Sequence, residues 1–132
     1  MFETGTRSHI SDVRTVGVPV SDQERALAFY VSELGFEKRL DVPFGDGLRW
    51  IEVAPSGATT SLALLPAAGH TAIGIDTHIR LATGDAAADH AELASRGVDV
   101  DAEVIPYPVP MFSLRDPDGN TLYLVQQPSG QS

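Results

Sequence analysis

Residues 15–36 read TVGVPVSDQERALAFYVSELGF, and this stretch predicts a strand that leads directly into a helix. Valines alternate with smaller or polar residues through its first six positions, which is the period of a half-buried strand. Ser21 and Glu24 then form a capping-box pair, in which each side chain can satisfy a free backbone amide of the first helical turn. Gly35 follows the last apolar helical position, where a left-handed residue ends many helices. The stretch therefore predicts a β-α unit.

Further strands are predicted downstream of this unit by the same alternation, over residues 36–42, 48–54 and 61–65. The first half of the chain thus spells β-α-β-β-β. The second half repeats the order, with a strand at 78–83, a helix at 85–96, a short strand at 98–100 and a hairpin formed by 111–115 and 120–126. Gly35 and Gly97 lie 62 residues apart, and the strand starts Thr15 and His78 lie 63 apart, which indicates an internal repeat.

The repeat predicts an α+β fold in which two βαβββ modules form a curved, cup-shaped mixed sheet with helices on the outside. One such module is too small to be stable on core burial alone, so the two must pack together. The sheet faces not covered by helices would line the cup, which is a typical place for a small-molecule pocket. The expected divisions are a leader at 1–12, a first module at 13–65, a linker at 66–77, a second module at 78–127 and a tail at 128–132.

Composition excludes several classes of function. Val, Ile, Leu and Phe make up about 27% of the 132 residues, enough for a packed core. The formal net charge of −9 disfavours nucleic acid and anionic membranes as partners. The absence of cysteine removes disulfides and thiolate chemistry. No apolar run approaches the ~20 residues of a membrane span, and the first residues lack a signal-peptide pattern, so a cytoplasmic protein is expected.

Two groups of motifs resemble the vicinal-oxygen-chelate superfamily. TVGVPVSD at 15–22, AFY at 28–30 and LGF at 34–36 are similar to the opening of its first module, and DPDGN at 116–120 with LYL at 122–124 is similar to the end of its second. This superfamily includes glyoxalase I, bleomycin-resistance proteins, fosfomycin-resistance enzymes, extradiol dioxygenases and methylmalonyl-CoA epimerase. Because one fold hosts many chemistries, the resemblance indicates the fold more firmly than the activity.

The resemblance also implies where a metal would bind. Metal-dependent members place four ligands on the first and last strands of the two modules, and here those positions hold Thr15, Ala63, His78 and Tyr123. Of these, His78 alone is a plausible ligand, whereas a divalent ion needs three or four N, O or S donors. The sequence is therefore identified as a divergent member that lacks most metal ligands, and we expect no bound metal and no cofactor.

The leading hypothesis is a metal-independent binder of the glyoxalase/bleomycin-resistance type, which sequesters a planar or aromatic compound in the cup and could confer antibiotic resistance. The residues expected to contact the compound share the cup-facing side of the strands: Thr15, Trp50, Glu52, His78, Arg80, Met111, Ser113 and Tyr123.

Several of these residues have a second interpretation that the sequence leaves open. Trp50 would give an aromatic guest a flat surface, or it would pack in the core if the strand parity is reversed. Arg80 suits a carboxylate or phosphate on the guest, or an ion pair with Glu52. His78 could contact the guest or bond to neighbouring strands, and Tyr123 could stack on the guest or fill the interior.

The alternative from another class is an enzyme, such as a glyoxalase-like lyase, an isomerase or another resistance enzyme. It would use His78, Glu52 or Tyr123 for proton transfer, with or without a divalent metal. A homodimer is expected in either case, because the modules leave sheet edges that a second copy can cover and because family members commonly dimerise.

Overall fold

The computed structural model describes residues 8–68 and 72–127. The first module contains β1 (Thr15–Val20), α1 (Gln23–Ala28), β2 (Glu37–Pro43), β3 (Arg49–Ala54) and β4 (Ser61–Pro66). The second contains β5 (Asp76–Thr83), α2 (Ala86–Ser95), β6 (Asp99–Val100), β7 (Met111–Arg115) and β8 (Thr121–Gln126). A π-helical turn, Phe29–Glu33, continues α1. No helix within the described residues is long and apolar enough to cross a membrane.

The strands form two four-stranded mixed sheets, one in each module. The order is β1-β4-β3-β2 in the first sheet and β5-β8-β7-β6 in the second. In each sheet the first strand runs parallel to the last, and the remaining neighbours are antiparallel. The two sheets therefore repeat one topology. The predicted α+β fold of two βαβββ modules is confirmed.

The first helix begins differently from the sequence prediction. Asp22, not Ser21, occupies the N-cap position, and its Oδ1 accepts a hydrogen bond of 3.0 Å from the backbone N–H of Arg25. Ser21 instead donates its backbone N–H and its hydroxyl to the carboxylate of Asp118 in the second module. Its side chain is therefore used between modules and is not free to cap the helix. The predicted left-handed position after the helix is present at Gly35, where φ is +79°.

Residues from both sheets form one hydrophobic core. Apolar side chains at alternate strand positions point into it, as the period of a strand requires. Burying each of these aliphatic side chains stabilises the fold by about 1.5–3 kcal/mol. The fully buried strand residues of this core are Val18, Val20, Ile51, Val53, Leu64, Leu114 and Leu122.

A buried carboxylate links the two modules. The Asp116 side chain lies in the turn between β7 and β8, and its Oδ2 accepts hydrogen bonds from the hydroxyl of Tyr30 at 2.8 Å and from Nδ2 of Asn120 at 3.0 Å. The backbone N–H groups of Asp118 and Asn120 donate to Oδ1, each at 2.9 Å. Asn120 Nδ2 also donates to the carbonyl of Pro19 at the end of β1. The turn predicted from DPDGN is thus also the junction between modules.

The segments outside the modules are only partly described. Residues 8–14 precede β1 without forming a helix or strand. Between the modules, β4 continues through Pro66 and β5 begins at Asp76, and residues 69–71 of the predicted linker lie outside the described part. The predicted tail at 128–132 and residues 1–7 of the predicted leader also lie outside it.

We expect Tyr30→Phe to lower the free energy of unfolding by about 1–2 kcal/mol, because the buried Asp116 carboxylate loses one donor while its other three remain. Urea denaturation at a fixed protein concentration measures this difference. Tyr107→Phe is the matched control, since Tyr107 is 82% exposed and its variant should lie within about 0.5 kcal/mol of wild type. Equal denaturation midpoints for wild type and Tyr30→Phe would contradict the proposed role of this junction.

Candidate binding site on the open sheet faces

Each sheet has a second face, on the side opposite to its core residues, which we call the open face. Side chains alternate along a strand, so the residues between the core positions point to this face. The register places Glu52 beside Ala63 in the first sheet, and both Arg80 and Ser113 beside Tyr123 in the second. By this alternation the predicted site residues Thr15, Trp50 and Glu52 lie on the first open face, and Arg80, Met111, Ser113 and Tyr123 on the second; His78 lies in a stretch of β5 where the register with β8 is broken.

Glu52 is buried on the first open face, with 5% of the residue exposed. Arg14 Nη1 and Trp50 Nε1 donate to its Oε2 at 2.9 and 2.8 Å, and the Ser61 hydroxyl donates to Oε1 at 2.9 Å. Burial by itself would raise the pKa of this carboxyl, but the three hydrogen bonds and the Arg14 charge outweigh it, and the pKa is lowered. Glu52 is therefore held as a carboxylate whose oxygens already have partners, which disfavours it as a general base.

The partner of Glu52 is a residue that sequence reasoning did not single out. Arg14 lies just before β1 and reaches across the sheet edge to Glu52, whereas the alternative suggested by sequence was Arg80. No contact between Arg80 and Glu52 is found in the part of the chain that the structure describes. The alternation of side chains along the strand placed Glu52 on the open face, but it could not identify which arginine reaches the carboxylate.

An apolar aromatic surface lies next to Glu52 on the same sheet. The rings of Trp50 and Phe44 pack edge to face with centroids 5.5 Å apart, and Val42 pairs with Trp50 across β2 and β3. Phe44 is 55% exposed and Val42 is 40% exposed. The hydrogen bond from the indole to Glu52 fixes the orientation of the Trp50 ring. Partly exposed aromatic and aliphatic groups of this kind form a flat surface on which a planar molecule can stack.

The second open face carries a connected group of polar side chains around Tyr123. The Tyr123 hydroxyl donates to Asp76 Oδ2 at 2.6 Å, and the backbone N–H of His78 donates to Asp76 Oδ1 at 3.0 Å. The hydrogen bond from Tyr123 is the main cause of a lowered pKa at Asp76, and the one from His78 is the next largest. The same carboxylate raises the pKa of Tyr123. The guanidinium carbon of Arg80 lies 5.8 Å from the centroid of the Tyr123 ring, within the range of a cation–π contact.

A bulge in β5 creates this arrangement. The register with β8 skips between Asp76 and Arg80, and His78 in the bulge has φ of +60°, a left-handed conformation that is uncommon outside glycine. Its side chain is 74% exposed, and its carbonyl accepts a hydrogen bond of 3.1 Å from Arg80 Nη1. The bulge thus brings the His78 carbonyl within reach of the Arg80 guanidinium. Alternation of residues along the sequence cannot reveal such a bulge.

A second buried network supports the strand that carries Met111 and Ser113. Ser113 donates its backbone N–H and its hydroxyl to the two carboxylate oxygens of Asp101, each at 2.8 Å, and Arg115 Nη1 donates to Asp101 Oδ1 at 3.0 Å. Burial would raise the pKa of Asp101, but these hydrogen bonds lower it overall. The sequence signal for this network is the opposite charge of Asp99 and Arg115, which the structure pairs across β6 and β7. Ser113 is thereby occupied by the protein, and Met111 remains half-buried at the end of β7.

A groove of about 1020 Å³ runs between β5 and the turn at residues 55–60, and His78 and Arg80 lie along it. This volume is large enough for a drug-sized molecule. Its large aliphatic residues, Val16, Leu62, Ile79 and Leu81, belong to the core side of the two sheets, so the groove adjoins the open face at the β5 edge rather than lying on it.

The positions that the resemblance assigned to metal ligands do not fit a divalent ion. Ala63 offers no donor atom, and the Tyr123 hydroxyl is bonded to Asp76. Within residues 8–68 and 72–127 no group of three His, Cys, Asp or Glu side chains is placed to hold a metal. Thr15 and His78 would therefore have to bind an ion nearly alone, which is far short of the usual donor set.

The duplicated βαβββ fold and its open sheet faces define the class of proteins built on the vicinal-oxygen-chelate fold. Within that class, the sequence model of the Glyoxalase/Bleomycin resistance protein/Dioxygenase superfamily matches residues 9–124, and the chain belongs to this superfamily.

Two solved structures show the relationship across nearly the whole chain. The first is TnmS3, an antibiotic binding protein from Streptomyces sp. CB03234, with 41% identity, a TM-score of 0.80, and coverage of 92% of this chain and 100% of that one. The second is a superfamily member from Sphaerobacter thermophilus DSM 20745, with 36% identity, a TM-score of 0.82, and coverage of 89% and 98%.

A curated relative is the uncharacterized protein YetH of Bacillus subtilis (strain 168), which is 42% identical over 59 residues. That match spans 45% of this chain and about half the length of YetH.

We expect Glu52→Gln to destabilise the protein by about 1–2 kcal/mol at pH 7 and by less near pH 3. A carboxyl whose pKa is lower in the folded state than its unfolded value of about 4.3 stabilises the fold above that pH, and this contribution is lost as the pH falls through the folded pKa. Urea unfolding of wild type and variant at both pH values measures the difference. Glu103→Gln, at an exposed position, is the control. The same loss of stability at pH 7 and pH 3 would refute the assigned ionisation of Glu52.

Proposed function

We propose that this protein binds a planar, partly aromatic small molecule on its open faces, without a metal and without catalysing a reaction. The observation that carries the proposal is the combination of exposed aromatic groups with acids that already have protein partners. Trp50 and Phe44 offer a stacking surface, and Arg80 and Tyr123 offer a cationic and aromatic one. The groove at the β5 edge, which His78 and Arg80 line, provides room for part of a guest beside the second open face.

The enzymatic alternative needs a group that can accept or donate a proton, and two of the three side chains suggested for that role, Glu52 and Tyr123, are engaged elsewhere, whereas the His78 side chain is 74% exposed. Glu52 accepts three hydrogen bonds and has a lowered pKa, and Tyr123 donates to Asp76 and has a raised pKa. General acid–base catalysis favours groups whose pKa lies near the working pH, and both shifts move away from neutrality. These contacts favour binding over proton transfer. Consumption of a substrate that His78→Ala or Glu52→Gln abolishes would decide for the enzyme.

A relative with antibiotic-binding function supports the choice of ligand class. TnmS3, an antibiotic binding protein, is 41% identical to this chain, and the match covers 92% of this chain. We propose the same kind of role here: sequestration of an aromatic natural product, such as an antibiotic, by stacking and burial. No bond in the guest is broken in this mechanism.

We further propose that the protein is a homodimer. Each sheet ends in two edge strands, and an edge strand leaves backbone N–H and C=O groups that another chain can cover. Large apolar side chains outside the proposed stacking surface are exposed as well, among them Ile10 at 84% and Ile105 at 52%. A second copy that covers such groups would form a closed assembly with twofold symmetry.

Sedimentation equilibrium at micromolar concentration tests the assembly. We expect a species of about 28 kDa, twice the 14.0 kDa of one chain. A single species of about 14 kDa across the micromolar range would refute the dimer and leave the binding proposal intact.

Binding itself can be followed through Trp50, the single tryptophan of the chain. We expect planar aromatic compounds to quench its fluorescence, and we expect Trp50→Leu to weaken their affinity about tenfold, because the aromatic stacking surface is lost while an apolar side chain remains. Calorimetry measures the affinity of the variant, which has no fluorescent reporter. A broad set of aromatic metabolites and antibiotics that leaves the fluorescence and the calorimetric heats unchanged would count against the proposal. Phe29→Leu, a partly buried aromatic on the core side, is the matched control.

A further inference from the structure

Arg80 differs from the other basic residues in its electrostatic surroundings. Among the eight lysines and arginines in residues 8–68 and 72–127, seven have a carboxylate oxygen within 4.0 Å. Arg80 has none among those residues, although the chain carries a net charge of −9 and acids are abundant. The other seven cations of the described part all pair internally, so an arginine without such a partner on the proposed binding face is available to bind an external anion.

Arg80 is nevertheless held in place. Nη1 donates to the His78 carbonyl at 3.1 Å, and the guanidinium lies over the Tyr123 ring at 5.8 Å. The ring is itself fixed, because its hydroxyl donates to Asp76. A guanidinium carries five N–H donors in a planar fork, and the protein contact described here uses one nitrogen. The strained conformation of His78 supplies the carbonyl that positions the fork, and strain of this kind is often found at functional sites.

The nearest acid does not take up this charge. Both oxygens of Asp76 already accept hydrogen bonds, one from the Tyr123 hydroxyl and one from the His78 backbone N–H. Asp76 therefore orients the tyrosine and the bulge, and it forms no ion pair with Arg80 within 4.0 Å among the described residues. Glu52, on the first sheet, is bonded to Arg14.

Building on the binding function proposed above, we infer that the guest is a planar aromatic anion, with a carboxylate on its ring system that accepts hydrogen bonds from the Arg80 guanidinium while its body lies in the groove that Arg80 also lines. A carboxylate matches the planar fork in a bidentate geometry, which a neutral amide cannot do. The aromatic part of the guest would lie along the apolar residues of the β5 groove.

Matched acid and amide pairs test this inference. The probes are naphthalene-2-carboxylate and anthraquinone-2-carboxylate, each compared with its primary amide by isothermal titration calorimetry at pH 7.5. We expect wild type to bind each acid about tenfold more tightly than its amide, which corresponds to one charge-assisted contact. Arg80→Gln should remove the preference, so that this variant binds the acid and the amide of each pair with equal affinity. Arg80→Lys, which keeps the charge and loses the fork, should retain part of the preference.

Arg96→Gln is the control for the change in net charge, because it removes another exposed arginine, one that pairs with Glu92 on α2. This variant should keep the full preference for the acid. Equal affinity of wild type for acid and amide, or a preference that survives in Arg80→Gln, overturns the inference and leaves the binding function standing. Failure of wild type to bind any of the four compounds overturns the binding function together with the inference.

Discussion

A carboxylate removed from water must find donors, and this requirement at Asp116 shapes the molecule. No ion pair to Asp116 is found among the described residues, so its neutral donors come from the turn it occupies and from the other module through Tyr30. An unpaired charge in this position would cost far more than the net gain from a single hydrogen bond. The two modules are thereby held in one arrangement, and Asn120 extends the same network to the end of β1. The placement of both sheets, and with them both open faces, depends on this junction.

The open faces follow a related rule. Glu52 is buried and Asp101 is partly buried, and each carboxylate pairs with an arginine from its own module. Hydroxyl groups of Ser61 and Ser113 complete the two sets of hydrogen bonds. These networks leave accessible the Trp50 and Phe44 rings on the first face, and on the second an Arg80 guanidinium that pairs with no described carboxylate. This is the surface to which we assign the proposed binding function.

The sequence contained most of the fold and only part of the site. Alternation of valines with small residues, the glycines that follow both helices and the DPDGN turn are local signals, and each of them acts within a few residues of the chain. The assignment of Trp50 and Glu52 to one face followed from the same alternation. The identity of the Glu52 partner could not follow, because it depends on how Arg14 lies across the sheet. The predicted N-cap of α1 was wrong for a similar reason. Ser21 bonds to Asp118, 97 residues away, and only the folded chain brings the two together. The bulge at His78 was also hidden, since a shift in register leaves the composition of a strand unchanged.

The ion pair between Arg14 and Glu52 has a practical consequence for where this domain can be cut. Arg14 precedes the first strand, and a truncation at Thr15 that followed the strand boundary would look harmless in a diagram of the fold. It would nevertheless leave an enclosed negative charge without its cation, and it would also remove the carbonyl oxygens of residues 13 and 14 that accept hydrogen bonds from Thr60 and Ser61. The minimal folding unit therefore begins at least two residues upstream of its first strand, and shortened versions for crystallisation or fusion should retain Val13 and Arg14.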